Sequence, residues 1–185
     1  MKVTPLSIPD VLLIEPSVFE DARGFFFESF REDIFKNETS LNVSFVQDNH
    51  SKSSKGVLRG LHYQLPPHAQ GKLTRVIQGE VLDIAVDIRK SSPTCGQYIA
   101  EILSSGNRRQ LYIPEGFAHG FLTLSETSEY LYKTTDFYNP QSERCILWND
   151  VTLNISWPKD LNIQLSPKDL LGQSFKSSPL FSDKL

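Results

Sequence analysis

Hydrophobic and polar residues alternate with a period of two over much of the chain, most cleanly in Val81-Leu82-Asp83-Ile84-Ala85-Val86-Asp87-Ile88. In an extended strand Leu82, Ile84, Val86 and Ile88 share one face, and Val81, Asp83, Ala85 and Asp87 share the other. The first face predicts a seal against a core. The second, with its carboxylates and small residues, predicts the wall of a polar cavity. Gln78-Gly79-Glu80 just before it reads as a tight turn, which predicts a hairpin over 73–88. Short runs rich in Val, Ile, Thr and Phe, punctuated by Gly and Pro, predict strands at 11–14, 24–30, 45–49, 58–64, 73–78, 81–88, 99–103, 110–113, 120–124, 129–135 and 153–155. Ala is scarce and Met occurs only at position 1, so helical patterning is confined to short pieces. These are a surface helix over 31–37 and turns of helix at 140–147 and 167–171, the last with Ser166 as N-cap and Pro167 at the first helical position. The pattern predicts an all-β fold, an antiparallel barrel or double-sheet roll with a few short peripheral helices.

Composition narrows the class. At roughly 100–200 residues per domain, 185 residues predict a single domain over 1–185, with 172–185 as a C-terminal tail that hugs the surface or frays. Twelve Phe, six Tyr and two Trp supply enough aromatic surface to bury, which excludes a disordered chain. No run approaches the ~18 apolar residues of a membrane span, and the first residues lack the pattern of a signal peptide. The net charge of −3 argues against a nucleic-acid surface but leaves room for a local basic pocket. Cys95 and Cys145 are far apart and belong to no ligand motif, which predicts reduced thiols and a cytoplasmic location.

Candidate chemistry is densest in Gly56-Val57-Leu58-Arg59-Gly60-Leu61-His62-Tyr63-Gln64. Strict alternation places Arg59 and His62 on opposite faces; a bulge at Gly60 would turn both inward. With His119 in Ile113-Pro114-Glu115-Gly116-Phe117-Ala118-His119, the spacing resembles that of the cupin jelly roll. Metal-binding cupins carry His-x-His at the first segment. Here the third position is Gln64, so no metal centre is predicted. A cavity with histidines and no metal points to acid–base chemistry, with His62 as a candidate base. Asp83, Asp87 and Asp169 are candidates to orient it, Lys72 to stabilise an oxyanion, and Tyr130 or Tyr132 to act as an acid; spacing alone does not choose among them.

The motifs carry a more specific resemblance, running from about Thr4 to Leu171. They are Asp21-Ala22-Arg23-Gly24-Phe25-Phe26-Phe27-Glu28-Ser29-Phe30, Gln47-Asp48-Asn49-His50-Ser51, the segment 56–64, Gln70-Gly71-Lys72, the segment 79–89 and the segment 113–121. In this order they resemble the dTDP-4-dehydrorhamnose 3,5-epimerases, metal-independent cupins of sugar-nucleotide metabolism. The resemblance implies that His62 is the general base, oriented by Asp169, that Tyr132 rather than Tyr130 is the general acid, and that Lys72 lies near the keto oxygen. It implies that Arg59 and His119 contact sugar and diphosphate, and that Tyr138 stacks on thymine. Glu143 and Lys168 would make further substrate contacts. Arg23, Phe26, Glu28, Gln47, Asp48 and Asn49 would lie on the nucleotide side, some supplied by a strand exchanged within a homodimer. The implied substrate is dTDP-4-dehydro-6-deoxy-D-glucose, converted without a cofactor.

The residue types suit that chemistry. In a 4-keto sugar both C3 and C5 lie beside the carbonyl, so their protons are the acidic ones. No electron transfer is involved, and the chain has no Gly-x-Gly-x-x-Gly turn for a nicotinamide. Arg23, Arg59, Lys72 and Lys168 can neutralise a diphosphate while the chain stays acidic overall. The sequence departs from the family pattern at Cys145, Leu147 and Val151, away from the acid–base residues. Rival readings are an epimerase acting at C3 or C5 alone, a 3,4-ketoisomerase of the same barrel shape, and a non-catalytic carbohydrate-binding cupin. The Phe25-Phe26-Phe27 run has apolar side chains on both faces, one of which needs a partner to cover it.

Overall fold

The computed structural model describes residues 1–182. In chain order the elements are β1 (Lys2–Pro5), β2 (Leu12–Glu15), β3 (Phe19–Asp21), β4 (Gly24–Phe26), α1 (Glu32–Thr39), β5 (Gln47–Ser54), β6 (Leu58–Gln64), β7 (Lys72–Gln78), β8 (Glu80–Asp87), β9 (Tyr98–Ser104), β10 (Gln110–Ile113), β11 (Phe117–Thr123), β12 (Thr127–Thr134), β13 (Glu143–Cys145) and α2 (Pro167–Leu170). Two antiparallel sheets face each other. One has the order β1-β2-β10-β7-β12-β5 and the other β13-β6-β11-β8-β9, while β3 and β4 form a separate two-stranded ribbon. This is the predicted all-β, cupin-type jelly roll with short peripheral helices.

Side chains from both sheets interdigitate in the core between them, among them Leu13, Val76, Val81, Ala85, Leu103, Leu111, Phe117, Phe121 and Tyr130. The Val81/Asp83 face of β8 points into this interior. Its Leu82/Ile84/Val86/Ile88 face packs outward against a second layer formed by Leu153, Ile155, Phe175 and Phe181. Both faces of β8 are therefore covered, and Asp83 and Asp87 are fully buried rather than lining an open wall. On the other sheet, α1 inserts Phe35 between Phe30, Phe45 and Tyr112 over the outer face.

Three local expectations are corrected. The 73–88 hairpin does not form: β7 pairs with β10 and β12, whereas β8 pairs with β11 and β9, so the Gly79 turn is a corner between sheets. Gly79 takes φ +77°, and a Cβ there would lie 2.0 Å from the Thr127 carbonyl oxygen. The turn of helix at 140–147 is replaced by an Asx turn, with Gln141 and Ser142 N–H donating to Asn139 Oδ1, followed by β13. The strand at 153–155 is a turn capped by Asp150 Oδ1, which accepts from the N–H groups of Thr152 and Leu153. The tail is pinned as far as Phe181, whose N–H donates to Ile88 O and whose carbonyl accepts from Lys90 N–H. The part of the tail at 183–185 lies outside the described residues.

Candidate active site

The strand β6 carries one more residue than its partner across the bulge. His119 faces His62 and Phe121 faces Arg59, so two steps on β11 oppose three on β6. The extra residue falls at Gly60, which adopts φ +138°, and a Cβ there would sit 2.5 Å from Gly120 Cα. Only glycine relieves both constraints, and the resulting phase shift turns Arg59 and His62 to the same side. Both line a cavity of about 520 Å³ together with Ser51, Lys72, His119, Phe121, Tyr132, Lys168 and Asp169.

Asp169 is buried at the start of α2, whose first turn is set by Pro167 and by the Ser166 hydroxyl accepting from Asp169 N–H. His62 Nε2 lies 2.5 Å from Asp169 Oδ1, and the Ser166 hydroxyl donates to Asp169 Oδ2 at 2.7 Å. Burial works to raise the Asp169 carboxyl, but the hydrogen bonds from His62 and Ser166 outweigh it and hold it below the usual range. The carboxylate is thus an anion fixed against one imidazole nitrogen, which leaves the other free to act.

On the facing sheet, Lys72 begins β7 and Tyr132 lies near the end of β12. Burial pushes the Lys72 ammonium down to about 8, against the opposing pull of Glu143. Burial and then Glu143 raise the Tyr132 phenol, opposed by Arg59 and Lys168, so it is a protonated donor at neutral pH. Tyr130, the alternative acid, is fully buried: its hydroxyl is held by Asp83 and His119, and its ring stacks on Phe121 at 4.1 Å. Asp83 also bonds His119 Nε2 at 2.9 Å, and Asp87 is taken by Arg89, Ser92 and Thr94. Of the three aspartates left open by spacing, only Asp169 reaches His62.

A smaller adjoining cavity of about 130 Å³ shares His62, Lys72 and Tyr132 and adds Gln47, Asn49, Tyr138 and Glu143. Tyr138 donates to Glu143 Oε2 at 2.7 Å, and Lys168 pairs with the same carboxylate. Burial raises the Glu143 carboxyl, but Lys168 and Tyr138 hold it below its usual range on balance. Gln64, in the position where metal cupins place a second histidine, braces this loop: its amide donates to His68 O and Phe137 O and accepts from Asn139 N–H. Arg59 is fixed by bonds to Ser53 Oγ and Lys52 O.

Four predicted contacts are not brought to these cavities within one chain. Alternation along β5 turns Asp48 to the opposite face from Gln47 and Asn49, where it pairs with Lys133 at 2.9 Å. Arg23 pairs with Asp21, Glu28 with Arg31, and Phe26 is exposed on the β3–β4 ribbon. Ser166, expected only as an N-cap, also anchors the Asp169 carboxylate, and one residue the sequence reading does not single out, Ser51, places a buried hydroxyl with no partner in the wall of the large cavity. Ser51 shares the inward face with Gln47 and Asn49 by the same period of two, which is the signal that would have found it.

Among the described residues, His62, Cys145 and Asp169 bring one ligand atom each within 4.8 Å of one another. Burial, then the charge of Asp169, pushes the Cys145 thiol up to about 12. Cys145 and Cys95 are both free thiols.

Comparison with known proteins agrees with this architecture. The chain is 58% identical over 181 residues to the dTDP-4-dehydrorhamnose 3,5-epimerase of Shigella flexneri, covering 98% of this chain and 99% of that protein. A dTDP-6-deoxy-D-glucose-3,5-epimerase of Legionella pneumophila, solved in complex with dTDP-4-keto-L-rhamnose, superposes with a TM-score of 0.94 at 46% identity, covering 100% of this chain and 99% of the other. A 3'-monoepimerase of Streptomyces bikiniensis in complex with dTDP-quinovose gives a TM-score of 0.92 at 30% identity, covering 98% and 93%. The family profile described as dTDP-4-dehydrorhamnose 3,5-epimerase matches residues 5–177. With that match spanning nearly all of a jelly roll whose cavity joins a histidine–aspartate pair to a buried lysine and a tyrosine, the chain belongs to the dTDP-4-dehydrorhamnose 3,5-epimerase family.

Proposed function

We propose that the protein inverts C3 and C5 of dTDP-4-dehydro-6-deoxy-D-glucose, giving dTDP-4-dehydro-L-rhamnose in dTDP-L-rhamnose biosynthesis. The observation that carries this reading is the pairing of His62 with Asp169 on one side of a cavity whose other side presents Tyr132 and Lys72. His62 removes the proton next to the carbonyl, and Asp169 stabilises the imidazolium that forms. The charge that develops on the C4 oxygen is held by the Lys72 ammonium, a type of interaction worth about 3–4 kcal/mol per donor in comparable oxyanion sites. Tyr132, projecting from the opposite sheet, returns a proton to the other face of the carbon and so inverts it. Repetition at the second carbon completes the reaction, and positioned proton transfer adds roughly 10²–10⁴-fold to the rate.

Arg59, His119 and Lys168 line the large cavity as diphosphate and sugar contacts, and Ser51 supplies a further hydrogen bond. Gln47, Asn49, Tyr138 and Glu143 border the smaller one, from which they would make the nucleotide-side and further substrate contacts. Arg23, Phe26 and Glu28 reach the site only if a second copy delivers them, so the reading includes a homodimer with ribbon exchange. It also takes residues 1–185 as one domain with 172–185 as its tail. The free thiols of Cys95 and Cys145 support a cytoplasmic location, and among the described residues no helix is long and apolar enough to cross a membrane.

The test is incubation with dTDP-4-dehydro-6-deoxy-D-glucose in D₂O, following the sugar H3 and H5 by proton NMR. Loss of both signals, abolished by His62→Ala, is the expected result. Exchange at one carbon only moves the assignment to a monoepimerase, the activity named for the Streptomyces relative. Migration of the carbonyl to C3 would make the protein a ketoisomerase, and binding without exchange would leave a carbohydrate-binding cupin.

A further inference from the structure

The Cys145 side chain has no place in the reaction, yet it stands against the general base. Cys145 faces His62 directly in the β13–β6 register, and its thiol lies 3.7 and 3.6 Å from the carbonyl oxygens of Gly60 and Ile146. One sulfur, one imidazole nitrogen and one carboxylate oxygen therefore converge within 4.8 Å. Sulfur, nitrogen and oxygen from Cys, His and Asp make up a ligand set of Zn²⁺, whose bonds of about 2.0–2.3 Å place tetrahedral ligands roughly 3.3–3.7 Å apart. The side chains need to draw together by about 1 Å, and an ion can reach them through the large cavity that His62 and Asp169 line. The β13–β6 pairing holds Cys145 against His62, and the Ser166 hydroxyl holds Asp169, before any ion arrives.

We propose that Cys145, His62 and Asp169 form an inhibitory site for a soft divalent cation of the Zn²⁺ type. Binding replaces the hydrogen on sulfur with a metal–thiolate bond and releases that proton to solvent, with no change of oxidation state. The ion also takes an imidazole lone pair and breaks the 2.5 Å His62–Asp169 hydrogen bond, so the base is consumed. The loss of turnover rests on His62 being the base; the binding itself does not.

Titration of the purified protein with CoCl₂ tests the binding through sulfur-to-cobalt charge-transfer absorption. The band is expected in the unaltered chain and absent from both Cys145→Ser and Cys145→Ala, leaving Cys95 silent. In parallel, micromolar ZnCl₂ is expected to slow H3 and H5 exchange at least tenfold, reversibly with EDTA. The two Cys145 variants keep the basal rate and need at least tenfold more Zn²⁺. No thiolate band, or an equal band in the Cys145 variants, overturns the site. A band accompanied by undiminished exchange overturns its inhibitory consequence and the role of His62 with it, while exchange absent from every sample refutes the functional reading alone.

Discussion

Asp169 offers one oxygen to His62 and the other to the Ser166 hydroxyl, so neither is left to rotate the carboxylate away from the imidazole. Asp169→Asn keeps the size and the N-terminal turn of α2 but removes the anion that stabilises the imidazolium. The expected outcome is a fall in kcat of roughly 10²–10⁴-fold, measured by deuterium exchange, with the denaturant midpoint little changed. Lys72 carries a pH prediction. Burial lowers its ammonium from 10.5 to about 8, and in the proposed mechanism the cation is the form that holds the enolate. Below that value the cation prevails; as pH rises through it the cation is lost. The kcat/KM profile should therefore fall about tenfold per pH unit on an alkaline limb beginning near 8. Lys72→Arg should displace that limb upward while lowering the plateau, because a guanidinium keeps its charge but not the geometry. A limb unmoved by Lys72→Arg would assign it to another group. Much of this site was legible in motifs, since residues such as Arg59, His62 and Lys72 are unusual among their apolar neighbours. The choice of Asp169 was not legible from spacing, because it pairs with His62 across 107 positions and a polar pairing leaves no periodicity. The resemblance supplied it, and the burial of Asp83 behind His119 explains why the closer aspartate is not used.

Among the elements, β6 decides whether a catalytic wall exists, because its bulge gives Arg59 and His62 a common side. Gly60→Ala places a methyl group 2.5 Å from Gly120 Cα at a positive φ. Crowding and backbone strain together should cost on the order of 2–4 kcal/mol. The expected result is a lower chemical-denaturation midpoint and a loss of activity beyond what the remaining folded fraction explains. Full activity in a destabilised variant would show that the bulge serves folding and not the site. The strands at 58–64 and 110–113 were legible to the residue, as both are dense in apolar side chains that must be buried. β1, β3 and β13 escape a sequence reading because none of their residues is buried, so no apolar run marks them, unlike the equally short but buried β2 and β10. The corner at Gly79 reads as a hairpin because a tight glycine turn looks the same in sequence whether its strands pair or part. Only the distant partners β10, β11 and β12 decide between the two.

For the molecule as a whole, the β3–β4 ribbon is the feature one chain does not explain. It is tied back to its own chain by Glu20 with Arg108 and by the Arg108 guanidinium over the Phe25 ring, yet Phe19, Phe25 and Phe26 remain largely exposed. Covering each of these rings would contribute on the order of 2 kcal/mol. In the proposed homodimer a two-fold axis would cover both ribbons with identical surfaces and carry Arg23 and Glu28 across to the neighbouring cavity. Light scattering should accordingly return about twice the 21.0 kDa chain mass, and Phe19→Ser with Phe25→Ser should shift the particle toward one chain. Complementation decides whether the ribbon completes the site. Arg23→Ala loses a nucleotide contact and His62→Ala loses the base, so each homodimer should be poorly active. When the two are unfolded and refolded together, a mixed dimer holds one cavity with an intact His62 and an Arg23 delivered by the other chain. Random assortment makes about half the dimers mixed, each with one complete site, so roughly a quarter of wild-type activity should return. If Arg23 served the cavity of its own chain, every cavity would lack either its base or its arginine, and mixing would restore nothing.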